Sequence, residues 1–407
     1  MKILVINCGS SSIKYQLYEM PDETVLAKGV LEKVGEEGSV LTHQPGEEKI
    51  TTTVSAPDHE QGLKIIMRTL VDQKTGVTAE GSTGSCIANL EEIKAVGHRV
   101  VHGGEAFSGS VKITDEVIKV IDDYADLAPL HNPPNLAGIK AAAAVLPDVP
   151  QVACFDTAFH QTIPEQAYMY ALPYELYEKF KIRRYGFHGT SHRYVARRAA
   201  QLLNKGKYEA NIVTCHLGNG CSMAAVKQGK SVDTSMGLTP LEGLVMGTRS
   251  GDVDPAIIFY LQDRQNMCGK EINALMNKKS GLLGISGISN DMRNIIEEAD
   301  KGSKRAQLAV DIFCYRIKKY IGAYTAVLGS LDAVVFTGGI GENASKVREK
   351  ILDNLKALGI TFDSARNTDS AQKERVITTD DSKVQVFVIP TDEEGAIARD
   401  TYEITSS

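Results

Sequence analysis

The chain has 407 residues, with 45 basic and 51 acidic side chains and a formal net charge of −6 when histidine is neutral. That length exceeds the roughly 250 to 300 residues at which a single core stops growing, so two domains are expected. A net negative charge gives no ground for nucleic acid or an anionic membrane surface as a partner, and any anionic ligand must meet local positive charge.

A hydrophobic content of 43% with 24% charged residues fits a soluble globular enzyme rather than a disordered or membrane chain. Seven cysteines, an odd number without C-x-x-C spacing, read as small buried thiols rather than a disulfide framework or zinc site, which points to a reducing compartment. The N-terminus carries too short an apolar run for a secretory signal, and no stretch approaches about 18 apolar residues. The chain therefore reads as cytoplasmic.

In chain order, residues 3–6 are an unbroken apolar run, and after Gly9-Ser10-Ser11-Ser12 the residues Ile13, Tyr15 and Leu17 alternate with Lys14, Gln16 and Tyr18, which predicts two strands joined by a small polar turn. Such a tip can aim backbone N–H groups and hydroxyls at an anion, or it can be an ordinary tight turn. The polar section 35–56 reads as solvated loop or one more hairpin through Val40, Leu41 and residues 49–54. Residues 93–102 alternate, with Arg99 and Val101 on one face. Residues 115–128 and 135–146 have helical spacing, punctuated by Pro133-Pro134 and Pro147. Residues 151–155 read as a buried strand ending at Asp156, which can cap the next turn or serve a site.

Farther on, Gly186-Phe-His-Gly-Thr-Ser191 leads into a helix with Ser191 as its predicted N-cap and His188 just outside its positive end. A lone histidine there is either structural or a donor to an anion. Residues 211–226 repeat the opening plan of strand, small polar turn and strand about 210 residues later, a sign of internal duplication. Arg249 to Pro255 leads to a helix with Asp254 as N-cap, and Ser289 to Arg293 opens another. Residues 305–328 form a long apolar-striped helix. Residues 331–343 are a strand and glycine-rich turn, followed by a helix over 344–358. Gly339-x-Gly341-x-x-Ala344, with Asp363 downstream, meets a dinucleotide fingerprint on paper, yet too little chain follows it for a full Rossmann domain. A turn passing close to an adenosine explains the same glycines.

The ordered set Asn7-Cys-Gly-Ser-Ser-Ser-Ile-Lys14, His98-Arg-Val-Val-His-Gly-Gly104, Phe155-Asp-Thr-Ala-Phe-His160, Tyr185-Gly-Phe-His-Gly-Thr-Ser-His192, His216-Leu-Gly-Asn-Gly220, Met246-Gly-Thr-Arg-Ser-Gly-Asp252 and Phe336-Thr-Gly-Gly-Ile-Gly-Glu-Asn343 resembles the acetate kinase family over essentially the whole chain. The resemblance implies an α/β protein of two duplicated actin-like, ribonuclease H-like domains with mixed sheets flanked by helices and an active site in the interdomain cleft. It implies one domain over 1–156 plus 394–407 and a second over 157–393.

The same likeness implies reversible phosphorylation of acetate by ATP, with propionate or butyrate as the alternative acceptor. It implies Mg2+ or Mn2+ held by Asn7 and Glu393, with Lys14 at the ATP site. His216, Leu217, Gly218, Asn219 and Gly220 would form the second phosphate loop. Asp291, Met292 and Arg293 with Gly339, Ile340, Gly341, Glu342 and Asn343 would surround the adenosine. Arg99 would bind the acceptor carboxylate, Asp156 would be the catalytic acidic residue, and His188 and Arg249 would stabilise the transition state beside His131. Val101, Leu130, Phe187 and Pro240 would wall the methyl pocket. A homodimer without nucleic-acid or membrane partners is implied. A non-catalytic nucleotide-gated module would need the turns but not both arginines, and an NAD oxidoreductase would need only the glycine turn.

Overall fold

The opening residues fold as the alternation predicts. Strands β1 (Lys2–Cys8) and β2 (Ser12–Glu19) pair antiparallel with Asn7 opposite Lys14. This computed structural model describes residues 1–72, 76–77, 83–84, 86–129, 131–206 and 208–406. Among them the chain divides into two compact units, Met1–Ala158 with Asp392–Ser407, and Phe159–Thr391. Asp392 accepts from the Gly395 N–H at 3.0 Å and so caps the helix Glu393–Thr405, which belongs to the first unit.

In the first unit, β1 and β2 are joined by β3 (Thr24–Glu32), β4 (Ser39–Pro45), β5 (Ile50–Val54), β6 (Ile93–Val100), β7 (Val111–Lys112) and β8 (Gln151–Phe155) in an eight-stranded sheet of order β5-β4-β3-β2-β1-β6-β8-β7. The section 35–56 is therefore a hairpin that widens the sheet. In the second unit a six-stranded sheet has the order β11-β10-β9-β12-β14-β13, built from β9 (Asn211–Leu217), β10 (Cys221–Lys227), β11 (Lys230–Thr234), β12 (Ala333–Thr337), β13 (Arg375–Val376) and β14 (Gln385–Val388). Both sheets share one plan: an antiparallel hairpin whose first strand pairs parallel with a later strand, which pairs parallel with a third. The duplication read from the two hairpins is thus a duplication of sheet topology.

The parallel central strands β8 and β12 are buried along their whole length, as strands covered on both faces must be. Glu393–Thr405 packs so closely on β6 that a Cβ at Gly97 would lie 2.4 Å from Thr401 Oγ1. Helix Gly189–Leu202 buries Val195, Ala196 and Ala199 against Ile212, Ala333 and Val335 of the second sheet.

Four local expectations shift. The helix after Arg249 starts at Ala256 with Pro255 rather than Asp254 at its N-cap, although Asp254 Oδ1 accepts from the Ala256 N–H at 2.9 Å. The helix expected over 135–146 begins earlier, at Asn132, because Pro133 and Pro134 occupy its first turn, where backbone N–H groups have no helical acceptor anyway. Ser191 is not the N-cap of its helix. That position is His188, and Ser191 lies one turn inside. The turn after β12 is itself the helix Gly338–Asn343, made possible by Gly338 at φ +77, where a Cβ would lie 2.8 Å from the Leu217 carbonyl oxygen.

Candidate active site

In the first unit, β6 carries Arg99 and β8 delivers Asp156 one residue past its end. Arg99 donates from Nε to Asp156 Oδ1 at 3.0 Å and from Nη2 to Oδ2 at 2.6 Å. Asp156 is only 2% exposed at its side chain while Arg99 keeps 23%. The pair is a planar fork closed on one edge and open on the other. Glu393, first residue of its helix, stands 3.9 Å from Arg99 Nε. Burial pushes the Glu393 carboxyl up to about 7, opposed by Arg99 and reinforced by Asp156 and Glu394. Burial works against the charge of Arg99, but Asp156 and Glu393 outweigh it and hold the guanidinium firmly protonated.

Asn7 and Lys14 face one another across the first hairpin and, with Gln16 and Glu394, line a cavity of about 340 Å³. Val101 lies one residue beyond β6 and is buried. Its N–H donates to Asn135 Oδ1 at 3.1 Å, and Asn135 Nδ2 donates to the Cys8 carbonyl at 2.8 Å. Asn132 Oδ1 accepts from the His102 N–H at 3.1 Å. Two asparagines in the first turn of one helix thus fix the segment after Arg99, a role the sequence hid because asparagine in a helical pattern carries no such signal. His131 is half-buried at the N-cap of that helix. Leu130 lies outside the described residues.

In the second unit, His188 has φ +56, a left-handed conformation that is uncommon for a residue with a Cβ and frequent at functional turns. It stacks on His216, with ring centroids 4.3 Å apart and 24° between planes. Arg249 reaches the same place. A Cβ on Gly220 would lie 3.7 Å from both His188 Nε2 and Arg249 Nη1, so the imidazole and the guanidinium converge over a residue of the loop that has no side chain. Arg249 donates to the Pro240 carbonyl at 3.1 Å. Among the described residues no carboxylate pairs with it, and burial lowers its pKa. Phe187 is buried and Pro240 half-buried.

A cavity of about 860 Å³ in the same unit is lined by Gly218, Asn219, Asp291, Met292, Arg293, Gly339, Ile340 and Asn343, eight of the residues singled out for adenosine and phosphate. Asn290, Ile296 and Ala344 complete it, and Asn290 Nδ2 donates to Asn219 Oδ1 at 2.9 Å. Asp291 caps helix Met292–Asp300 by accepting from the Arg293 N–H. Three residues face elsewhere. Leu217 is wholly buried and Gly341 packs beneath the helix turn, so each offers only backbone, and Glu342 Oε1 accepts from the Gly338 and Thr391 N–H groups.

The acetokinase family model matches residues 2–399. The chain belongs to the acetokinase family. It is 58% identical to a Halothermothrix orenii protein named acetate kinase over 409 aligned residues, covering all of both chains. It superposes on the crystal structure of Porphyromonas gingivalis acetate kinase with a TM-score of 0.94 at 51% identity, and on a propionate kinase from Francisella tularensis with a TM-score of 0.90 at 44% identity, covering 99% of each chain in both cases. The two mixed sheets are thus the acetokinase fold, which excludes the Rossmann reading of the glycine turn.

Proposed function

We propose that this acetokinase-family chain transfers the γ-phosphoryl group of ATP reversibly to acetate, giving ADP and acetyl phosphate by direct in-line displacement. The observation that carries this reading is the end-to-end match to relatives named acetate kinase, because a nucleotide cavity and phosphate loops leave the acceptor open. Acetate needs no general base, since a simple carboxylic acid with a pKa of about 4 to 5 is already ionised at neutral pH. The barrier is the approach of one anion to another, which fixed cations lower.

Arg99 takes the acetate carboxylate. Its Nε–Nη2 edge is committed to Asp156, so acetate meets the remaining donors, and Asp156 acts by locking the fork rather than by removing a proton. On this reading His131 assists the same grip, and Val101, Phe187 and Pro240 serve as methyl-wall residues. Lys14 and the loop His216–Gly220 hold the phosphates, and the large cavity takes the adenosine. Arg249 and His188 meet the charge that develops on the transferring phosphoryl group.

Hard oxygen donors suit Mg2+ or Mn2+, which keep most of their coordination for water and substrate phosphates. Asn7 and Glu393 supply such donors, and a carboxyl that burial drives toward neutrality is one a cation would favour as carboxylate. When bound, the ion neutralises phosphate charge. Among the described residues no helix is long and apolar enough to cross a membrane, and free cysteines accord with a cytoplasmic home. Helix Ala256–Gln265 buries none of its residues and exposes Ile257, Phe259 and Tyr260, which supports a homodimer.

A second reading, propionate as acceptor, is favoured by the superposition on a propionate kinase. Hydroxylamine trapping of acyl phosphate with ATP, Mg2+ and each acid from formate to butyrate tests both. Highest kcat/KM for acetate is expected. A higher value for propionate moves the acceptor, and no product from any acid overturns the function.

A further inference from the structure

The stacked rings of His188 and His216 are each tied at Nδ1 to a serine. From His188 a chain of hydrogen bonds runs inward: Nδ1 to Ser222 Oγ at 2.8 Å, Ser222 Oγ to His192 Nε2 at 2.7 Å, and His192 Nδ1 to Thr214 Oγ1 at 2.7 Å. It ends where Thr214 donates to the Ala224 carbonyl at 3.4 Å. Ser222, His192 and Thr214 are all fully buried.

The proton directions follow from the last link. A carbonyl can only accept, so the Thr214 proton is spent on Ala224 and Thr214 Oγ1 must accept from His192 Nδ1–H. Burial, with His160 and His216 nearby, keeps His192 neutral, and a neutral imidazole has a single N–H. Its Nε2 is therefore an acceptor, filled by the Ser222 hydroxyl proton. Ser222 then has no proton left for His188 and can only accept from His188 Nδ1–H.

We propose that Thr214, His192 and Ser222 form a relay of fixed polarity that holds neutral His188 in its Nδ1–H tautomer, so that His188 donates to the transferring phosphoryl group only as an imidazolium. The proposal rests on the phosphoryl-transfer reading above for its second half. Its Nε2 edge lies over Gly220 beside Arg249 Nη1, and in the neutral ring that atom carries only a lone pair. The donor role that its place outside the helix offered His188 is thereby confined to the protonated ring. His188 takes a solvent proton at Nε2 to become the donor. In the transfer itself that N–H bond stays intact, while the γ-phosphorus to bridging-oxygen bond breaks and a carboxylate-oxygen to phosphorus bond forms.

The second chain has the opposite sense. Thr391 donates to Ser191 Oγ at 2.8 Å, which leaves the Ser191 proton for His216 Nδ1 at 2.8 Å and gives neutral His216 its N–H at Nε2. Two cationic rings at this spacing would repel, so the opposed relays decide which ring takes the proton. The charged and titratable groups around His188 are His216 on its face, Arg249 across Gly220, His192 through Ser222, and His160, which donates to the Phe187 carbonyl at 3.0 Å. Arg249 opposes protonation of His188, so the proton is taken up as the polyanionic triphosphate arrives.

Long-range 1H–15N spectra of the full chain labelled at histidine, recorded about two units above the ordinary histidine pKa of about 6.5, read the tautomer directly. The His188 signals are assigned by their loss in His188→Gln. The relay requires protonated Nδ1 and bare Nε2 in the unsubstituted chain, and a shift to Nε2–H in Ser222→Ala. It also requires kcat to fall with rising pH through a histidine ionisation, whereas Ser222→Ala, about tenfold slower at neutral pH, loses that dependence. Neutral His188 protonated at Nε2 in the unsubstituted chain overturns the relay even if acetyl phosphate is made. Absence of acyl phosphate removes the phosphoryl-transfer half while the tautomer remains readable.

Discussion

Arg99 belongs to one unit and Arg249 to the other, and their surroundings are opposite. Arg99 is clamped by a buried carboxylate and neighboured by a second. Arg249 is desolvated, and among the described residues its guanidinium bonds to the Pro240 carbonyl and the Met246 thioether rather than to a carboxylate. The first is fixed in place before any substrate arrives. The second is a cation waiting for a counter-anion, which is what stabilisation of transient negative charge requires. The difference teaches that an arginine's task is written in its partners rather than in its own chemistry.

The sharpest break of this contrast is Arg249→Ala. A transition-state guanidinium is worth roughly three orders of magnitude in rate, so kcat should fall about 1,000-fold with little change in the acetate KM. Denaturant midpoints should hold or rise, because a desolvated cation has been removed. An effect confined to KM would place Arg249 in ground-state binding instead. Arg99→Ala should do the reverse to stability. It leaves Asp156 buried without its partner, and with about a quarter of the arginine still exposed the cost should be about 2 kcal/mol in urea unfolding, alongside a rise in acetate KM of tenfold or more. Unchanged unfolding would show that the fork does not hold Asp156.

A test of the first unit alone comes from pH. His98 Nε2–H donates to Gln151 Oε1 at 2.6 Å, since that amide oxygen only accepts. Burial lowers its pKa to about 4. Below the unfolded value of about 6.5 the unfolded chain binds the proton and the folded chain does not, so stability is full above that value and declines as pH falls toward 4. Between pH 6.5 and 5 this one group should cost about 2 kcal/mol, and His98→Gln should flatten that part of the acid limb. An identical limb in the variant would assign the acid sensitivity elsewhere. The smallest effect is at the methyl wall, where Val101→Ala should raise propionate relative to acetate in kcat/KM by about fivefold, the scale of one methylene in an apolar pocket. Equal ratios would remove Val101 from that wall.

Strand alternation and turn residues made the two hairpins, the Arg99 strand and the helix start near Asp291 legible in the sequence, because each depends on side chains within a few residues of one another. The glycine turn misled in form, since a helix starting directly after a strand and a loop before a later helix share the same local glycines. Ser222, His192, Asn132 and Asn135 gave no sign of their roles. They lie inside regular strand or helix patterns, and polar side chains there read as solvent-facing until a neighbouring element covers them.

By itself, then, the sequence determined where strands turn, roughly where helices begin and that one topology occurs twice, because hydrophobic period and backbone preference act over short range. Only the tertiary structure decided that Arg99 has a carboxylate while Arg249 has none among the described residues, that His188 rather than Ser191 caps its helix, and that Ser222, His192 and Thr214 join in one buried chain of hydroxyls and imidazoles. Those outcomes follow from burial, which makes every unpaired polar group costly and so forces residues distant in sequence into specific partnerships.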